Sequence, residues 1–283
     1  MAGTVAMAGT VAQGARSRHG KLGRVTASSD VRLVAFDLDD TLAPSKTAID
    51  PRMADLLVRL LGEVEVCVIS GGQFGQFESQ LIANLPVAPE ALSRMHLMPT
   101  CGTQYYLHDG SGWRQQYAEN LSEEQKAAAL AAVELEAKRL GYWEPDNGTQ
   151  TWGPVLEDRG SQITFSALGQ SAPVDAKKAW DPTGEKKNAL RAAVQEHLPD
   201  LEVRSGGSTS VDITRRGIDK AYGMRKLAEL TAIPFQEMLF VGDRLDPDGN
   251  DFPVIALGIP TRAVEGWEDT ADVVEEFLAA RGA

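Results

Sequence analysis

Cysteine is scarce: only Cys67 and Cys101 occur in 283 residues. They share no CxxC or Cys/His spacing, which excludes a zinc knuckle and a disulfide framework and leaves two buried thiols that behave as small hydrophobes. Basic charge is also short, with 28 Lys and Arg against 40 Asp and Glu and a formal net charge of -12. Phosphate-backbone binding needs clustered cations, so no nucleic-acid partner is expected, while local phosphate binding by a few cations stays open. No apolar run approaches the roughly 20 residues needed to span a bilayer. No membrane partner is expected, and the protein is read as cytoplasmic.

What is present fits an ordinary soluble globular protein, with 43% hydrophobic and 24% charged residues. Residues 1–30 carry a near-duplicated MAGTVA and much Gly, Ala and Ser, without the apolar stretch of a secretory signal. They read as a flexible tail, with a transit peptide carrying Arg16, Arg18, Lys21 and Arg24 as the lesser alternative. From Val31 short apolar strands alternate with amphipathic helices, the pattern of an open, largely parallel α/β sheet. VRLVAFDLDD is a buried strand that stops at carboxylates; Asp50-Pro51 supplies an N-cap and a first-turn proline. VEVCVIS runs into Gly71-Gly72, EMLFVGD ends on Asp243, and VIALG reads as one more strand.

The middle changes character. LHDGSGW is a hairpin turn, and Ser122 to Gln125 is a capping box opening an Ala-rich helix. SQITFSALG is a strand, and Gly206-Gly207 turns a second hairpin. This α+β unit is placed at 105–216, inserted into a Rossmann-like core made of 31–104 and 217–283, a size that suits a separately cored lid.

The chemistry-bearing residues fall at strand ends, where open α/β sheets bind ligands. Asp37 and Asp39 sit two apart where the strand becomes a loop, so one carboxylate is assigned as nucleophile and the other as proton shuttle. An anionic nucleophile approaching an anionic phosphate needs a cation, and Mg²⁺ takes hard oxygen ligands. Asp37, Asp39, Asp243 and Asp251 are its expected ligands. Ser70, with the backbone of Gly71, is expected to hold a phosphoryl oxygen, and Lys220 to neutralise charge. Each feature alone has a bland reading: a charged strand end, a turn, a solvated lysine, an Asp-rich loop. Their order after the expected elements is what carries weight.

In these motifs the sequence resembles the haloacid dehalogenase superfamily. Residues 37–41, Ser70, Lys220, and Gly242-Asp243 through Asn250-Asp251 match its four motifs, and the insert lies where that superfamily carries a C2-type cap. Within it the chain is similar to the eukaryotic-type phosphomannomutases. Leu42-Ala43-Pro44-Ser45-Lys46 leads to Ile49-Asp50-Pro51, Glu157-Asp158-Arg159-Gly160 precedes a strand, and the hairpin reads GGSTSVD before Gly217-Ile218-Asp219-Lys220. The resemblance implies that Arg159, Ser210, Asp212 and Lys46 bind a sugar phosphate from the cap side.

Two positions depart from that pattern. Gln170 and Lys46 stand where the mutases have arginines, and neither offers the bidentate fork of a guanidinium. A mutase holds a second phosphate in its cap, so this shortage tilts the sequence reading toward a Mg²⁺-dependent phosphatase acting through an aspartyl-phosphate. A phosphohexomutase is the first alternative, with Arg159, Lys177, Lys178, Lys186 and Lys187 as substitute cations. A non-catalytic binding or regulatory relative is the second. Trp113, Tyr117, Trp143 and Trp152 are placed in the cap as core, sugar-stacking surface or the seam of a homodimer.

Overall fold

The computed structural model describes residues 28–207 and 209–282. The tail expected over 1–30 therefore lies, but for its last three residues, outside the described residues. After a short 3-10 turn come β1 (Leu33–Phe36), α1 (Pro51–Glu63), β2 (Glu65–Ile69), α2 (Phe74–Gln80), β3 (Met95–Met98), β4 (Gln104–His108) and β5 (Trp113–Ala118). The chain continues through α3 (Glu123–Arg139), β6 (Leu156–Asp158), β7 (Ile163–Ser166), α4 (Val174–Trp180), α5 (Glu185–His197), β8 (Leu201–Ser205) and β9 (Ser210–Arg215). It closes with α6 (Lys220–Thr231), β10 (Met238–Gly242), α7 (Phe252–Ile255), β11 (Thr261–Ala263) and α8 (Trp267–Arg281).

Two sheets result. The core sheet has the order β11-β10-β1-β2-β3-β4-β5, parallel from β11 to β3 and antiparallel through β4 and β5. All four residues of β1 are buried, as a central parallel strand covered on both faces requires. On one face α1 packs Met53, Leu56, Leu57, Leu60 and Leu61, apolar at helical spacing, and its Asp50 cap accepts the Arg52 backbone N–H at 2.8 Å. Among the described residues no helix is long and apolar enough to cross a membrane.

The smaller sheet is the antiparallel cap, order β6-β7-β9-β8. Its strands alternate. Ile163, Phe165, Val203, Val211 and Ile213 face α3 and α5 and pack on Val133, Leu190 and Val194. The alternate positions, Thr164, Ser166, Arg204, Ser210 and Asp212, form a polar face, because successive side chains in a strand point to opposite sides. That face is held against the core loops: Arg159 and Gln162 both donate to the Gly71 carbonyl, at 3.0 and 3.5 Å.

The structure corrects two expectations of the sequence. The LHDGSGW hairpin, assigned to the cap, is β4-β5 at the edge of the core sheet, where Leu97 pairs with Tyr106 and Phe74 stacks on the Tyr106 ring at 3.9 Å. VIALG, read as a strand, spans the end of α7 and the turn after it. Pro253 lacks an N–H and suits a helix first turn, while the real edge strand, β11, pairs Phe240 with Thr261. α4 is an additional short helix that the sequence reading did not mark. Trp143 stacks on Phe165 inside the cap core, and Trp113 lies against His108 in the core-sheet hairpin.

One close approach sets the position of α6. A Cβ on Gly223 would stand 2.7 Å from the Cys101 carbonyl oxygen, and one on Gly102 would stand 2.5 Å from the Gly223 Cα. Gly to Ala in a helix normally gains about 1 kcal/mol, but a backbone oxygen cannot yield as a side-chain tip can, and overpacking costs about 1–3 kcal/mol. Gly223→Ala should therefore be destabilising on balance, seen as a lower urea midpoint at unchanged m-value; a raised midpoint would refute this account of the packing.

Candidate active site

Three strand ends deliver the chemistry. β1 ends at Asp37, whose backbone N–H donates to the Val241 carbonyl at 3.0 Å and so continues the β1-β10 pairing to the last residue. β10 ends at Gly242 and Asp243. A Cβ on Gly242 would stand 2.8 Å from the Asp251 carboxyl carbon, so only glycine leaves that carboxylate its place. Thr41 ties the two loops together: its Oγ1 accepts the Asp243 N–H at 3.1 Å and lies 3.3 Å from Asp243 Oδ1, and its carbonyl accepts Thr270 Oγ1 of α8 at 2.7 Å.

Asp37, Asp243 and Asp251 each bring a carboxylate oxygen within 4.8 Å of the other two. Lys220, wholly buried, reaches both Asp37 Oδ1 and Asp251 Oδ1 at 2.5 Å. Asp251 Oδ2 also accepts the Arg244 N–H at 3.1 Å. Burial pushes the Asp37 carboxyl well above the usual carboxylate range; Lys220 pulls it down, and Asp251 pushes it up again. Burial would depress the Lys220 ammonium, but Asp251 and Asp37 outweigh it and hold it above its ordinary value. Asp243 is raised by burial and then by Asp251. Three carboxylates against one ammonium leave a formal surplus of two negative charges, all on hard oxygens. A divalent oxygen-seeking cation fits that donor set and that charge.

Asp39 does not join this cluster. Its Oδ1 accepts the Lys46 N–H at 2.8 Å and Gln80 Nε2 at 3.3 Å, and its Oδ2 accepts Gln76 Nε2 at 2.7 Å. The loop that follows takes left-handed φ at Asp40 and Lys46, 60° and 59°, and returns the Lys46 N–H onto the Asp39 carboxylate. Of the four expected ligands, the structure brings together the carboxylates of Asp37, Asp243 and Asp251, and that of Asp39 is held at the edge of the site by two glutamines of α2.

Ser70 is buried at the end of β2, and its Oγ accepts the Gly72 N–H at 3.1 Å. Its own hydroxyl hydrogen is thereby left to donate outward. Thr100 and Cys101, in left-handed conformations, donate their backbone N–H groups to the Gly72 and Ser70 carbonyls at 3.0 and 2.9 Å, which fixes the loop around Gly71.

At the seam between core and cap lies a cavity of about 240 Å³ lined in part by Lys46, Gln76, Gln80, Glu157, Arg159 and Gln170. None of the three clustered carboxylates lines it, and it adjoins the site through the glutamines that hold Asp39. Lys46 Nζ donates to Gln170 O at 2.6 Å and Oε1 at 3.1 Å, and Lys177 Nζ donates to Gln170 O at 3.1 Å. Arg159 pairs with Glu157 at 2.8 Å. Gln170 Nε2 is buried without a hydrogen-bond partner among the described residues. Lys46 is an exposed residue whose ammonium reaches under the cap, where desolvation, with Lys177 and Arg159 nearby, lowers it to about 8. Asp212 is raised by burial, against Arg159 and the Thr164 hydroxyl that donates to it at 2.7 Å. Ser210 shares its strand face two residues away. Lys186, one of the substitute cations considered from sequence, lies over the Trp180 ring at 4.6 Å instead. Sequence reading missed Gln76, Gln80 and Thr41; the i,i+4 spacing of the two glutamines was a signal that nothing in the sequence tied to Asp39.

The family profile for eukaryotic phosphomannomutase matches residues 53–280. A probable phosphomannomutase of Caenorhabditis elegans is 26% identical over 267 residues, covering 89% of this chain and 97% of that protein. Phosphomannomutase 1 of Homo sapiens is 26% identical over 238 residues, covering 79% and 83%. Among solved structures, the Plasmodium falciparum IMP-nucleotidase superposes with a TM-score of 0.68 at 14% identity, over 91% of this chain and 71% of that one. A haloacid dehalogenase-like hydrolase from Bacteroides thetaiotaomicron gives 0.60 at 15% identity, over 87% and 99%. At such identity these two speak for the fold alone.

If the carboxylates bind Mg²⁺, the ion should raise the melting temperature; at a concentration a hundredfold above its Kd the gain is about 2.7 kcal/mol, several degrees for a chain of this size. Asp243→Asn should abolish the increase, and an unchanged Mg²⁺ response in that variant would place the ion elsewhere.

Proposed function

We propose, since this chain belongs to the eukaryotic phosphomannomutase family, that it moves a phosphoryl group between the 1 and 6 positions of a hexose phosphate by way of an aspartyl-phosphate on Asp37. The observation that carries the reading is the pairing of a buried Asp37–Lys220–Asp251 cluster with cations at the cap seam. The sequence tilt toward hydrolysis rested on Gln170 and Lys46 leaving the cap short of charge. Lys177 standing beside Lys46 and Arg159 answers that shortage, with Gln170 as the group that gathers the two lysines.

In this mechanism an Asp37 carboxylate oxygen attacks phosphorus, the bond to the sugar oxygen breaks, and Asp39 as the acid protonates that leaving oxygen. For transfer in the other direction, Asp39 as carboxylate takes the proton of the incoming sugar hydroxyl while its oxygen displaces Asp37 from phosphorus. Gln76 and Gln80 orient Asp39 for both steps. Lys220 opposes the effect of burial on Asp37, favouring its carboxylate, and offsets charge on the transferring group, and Ser70 donates its hydroxyl to a phosphoryl oxygen. Magnesium, when held by Asp37, Asp243 and Asp251, supplies positive charge to the phosphoryl oxygens. Arg159, Lys46 and Lys177 hold the second phosphate of the bisphosphate that forms between the two transfers.

The hydrolytic reading keeps one observation in its favour: Glu157 offsets the charge of Arg159 on the cap side. The two are separated by incubating the protein with Mg²⁺ and hexose 1-phosphates, with and without glucose 1,6-bisphosphate, and following both esters and free phosphate by ³¹P NMR. Activator-dependent migration that outpaces release is expected. Release without migration would replace the mutase by a phosphatase, and neither product would leave a non-catalytic relative. Asp37→Asn should abolish turnover in either case.

The seam lysine gives a pH signature. The ammonium form of Lys46 is the form that binds phosphate, and in the free protein it is lost as pH rises through about 8. The KM for hexose phosphate should be flat below that pH and climb above it, by up to about tenfold per pH unit for a single required proton. Lys46→Met should raise KM at neutral pH and remove the climb. Because the lowered pKa favours the neutral lysine in the fold, folding stability runs the opposite way and increases between pH 8 and the unfolded value near 10.5. A KM that climbs identically in Lys46→Met would acquit this residue.

A further inference from the structure

Beyond the reacting groups lies a second buried polar cluster that the mechanism does not use. Thr100 and Thr103 belong to the core turn after β3, and Ser161 belongs to the cap turn between β6 and β7; all three are almost fully buried. Thr103 Oγ1 donates to Ser161 Oγ at 2.7 Å, Ser161 Oγ donates to Thr100 Oγ1 at 3.0 Å, and Thr100 Oγ1 lies 2.7 Å from Thr103 Oγ1. The Thr100 carbonyl, 2.9 Å from Thr103 Oγ1, is a second acceptor for the one hydrogen of that hydroxyl, so the three hydroxyls form a closed ring of mutual contacts anchored to the backbone of the core turn. Such buried networks polarise one another and are costly to leave incomplete, so the ring fixes one relative placement of the two turns.

What each turn touches gives the ring a consequence. On the core side Thr100, Cys101 and Gly102 have consecutive left-handed φ of 49°, 56° and 83°. The N–H groups of Thr100 and Cys101 hold the Gly72 and Ser70 carbonyls, and the Cys101 carbonyl is packed against Gly223 of the helix that carries Lys220. On the cap side the Arg159 carbonyl accepts Gln104 Nε2 at 2.7 Å and the Gly160 carbonyl accepts the Leu121 N–H at 3.0 Å, while the Arg159 side chain faces the seam cavity.

We propose that this hydroxyl ring couples the position of the cap turn to the phosphate-binding loop, making Thr103 and Ser161 positioning residues for Ser70 and Arg159. The inference rests on the reading of Asp37 as the phosphorylated group. A shift of the cap turn is transmitted through the ring to a backbone turn whose two N–H groups hold Ser70 and Gly72, and occupancy of the phosphate loop is transmitted back to Arg159.

Hydrogen exchange followed by mass spectrometry on the full chain tests it, with Mg²⁺ and beryllofluoride as the phosphoryl mimic. In the parent protein the mimic should slow exchange in residues 70–76 and 157–163 together. Thr103→Val keeps the shape and deletes the hydroxyl: segment 70–76 should still be protected, while the slowing in 157–163 falls at least tenfold. Thr103→Ser should behave as the parent, and Ser161→Ala as Thr103→Val, should the valine variant fail to fold. A purely structural role would lower the melting temperature of Thr103→Val and leave both mimic-induced changes intact, which overturns the coupling and hands it to the direct Arg159–Gly71 contact. Protection of 70–76 alone in the parent overturns it as well. No protection of either segment in the parent overturns the aspartyl-phosphate reading and the coupling with it.

Discussion

The buried ammonium of Lys220 between Asp37 and Asp251 is the interaction on which the rest of the structure depends. A charge taken out of water costs several kcal/mol, and its attraction to a partner offsets that only with close geometry and further hydrogen bonds. Both conditions appear here. Lys220 meets two carboxylates at 2.5 Å, and the far oxygen of Asp251 is satisfied by the Arg244 N–H. Gly223 lets its helix sit against the Cys101 turn, Gly242 leaves space for Asp251, and the Asp219 cap starts the helix at the lysine itself. These are structural details of three loops, and each serves to place one nitrogen.

The seam obeys a different logic. Around Gln170 the cations of Lys46 and Lys177 end on neutral oxygens of a carboxamide and a backbone carbonyl. Hydrogen bonds from an ammonium to neutral acceptors are weaker than those to an anion. A phosphate that entered the cavity would therefore gain more from the same donors than Gln170 offers, and the side-chain N–H of Gln170, without a partner among the described residues, would be one more donor within the same shell. The Asp37–Lys220–Asp251 cluster is built to stay as it is, whereas the seam is built to exchange partners.

Much of this was legible from residues alone. The strand that ends in DLDDT, the serine at the β2 end, the lysine opening a helix and the GD ending β10 all fell where the alternation of apolar runs put them, because a buried parallel strand declares itself in continuous hydrophobics. The α7 region was not legible: Val-Ile-Ala-Leu has the composition of a strand, and only the Pro253 position and the need to bury Asp251 decide for a helix. The β4-β5 hairpin was recognised as a hairpin but assigned to the wrong sheet, since a turn motif says nothing about which edge its strands will join. Asp39 was read as a loop carboxylate beside Asp37, but its contacts with Gln76, Gln80 and the Lys46 N–H were not legible, since they join positions 37, 41 and 7 residues away and non-glycine positions give no warning of positive φ. The hydroxyl ring was invisible for a plainer reason, its members being 3, 58 and 61 positions apart.

Ammonium groups at the seam, in place of guanidinium, have a further meaning under the proposed mutase reaction, whose intermediate would have to turn around. A planar fork grips phosphate through two bonds of fixed direction, while an ammonium is a point charge with rotatable donors on a flexible stem. A bisphosphate that must let go with one end and return with the other is slowed by a directional grip and eased by a diffuse one. Arg159 retains the directional grip but is itself tied to Glu157, so its hold on an incoming anion is partly offset from the start. Lysine at position 46 and lysine at position 177, gathered by an uncharged Gln170, thus exchange tightness for release. That balance is what the proposed mutase reaction asks for, since both ends of one molecule would use the same seat in turn, whereas a lid closing once over a leaving group would not need it.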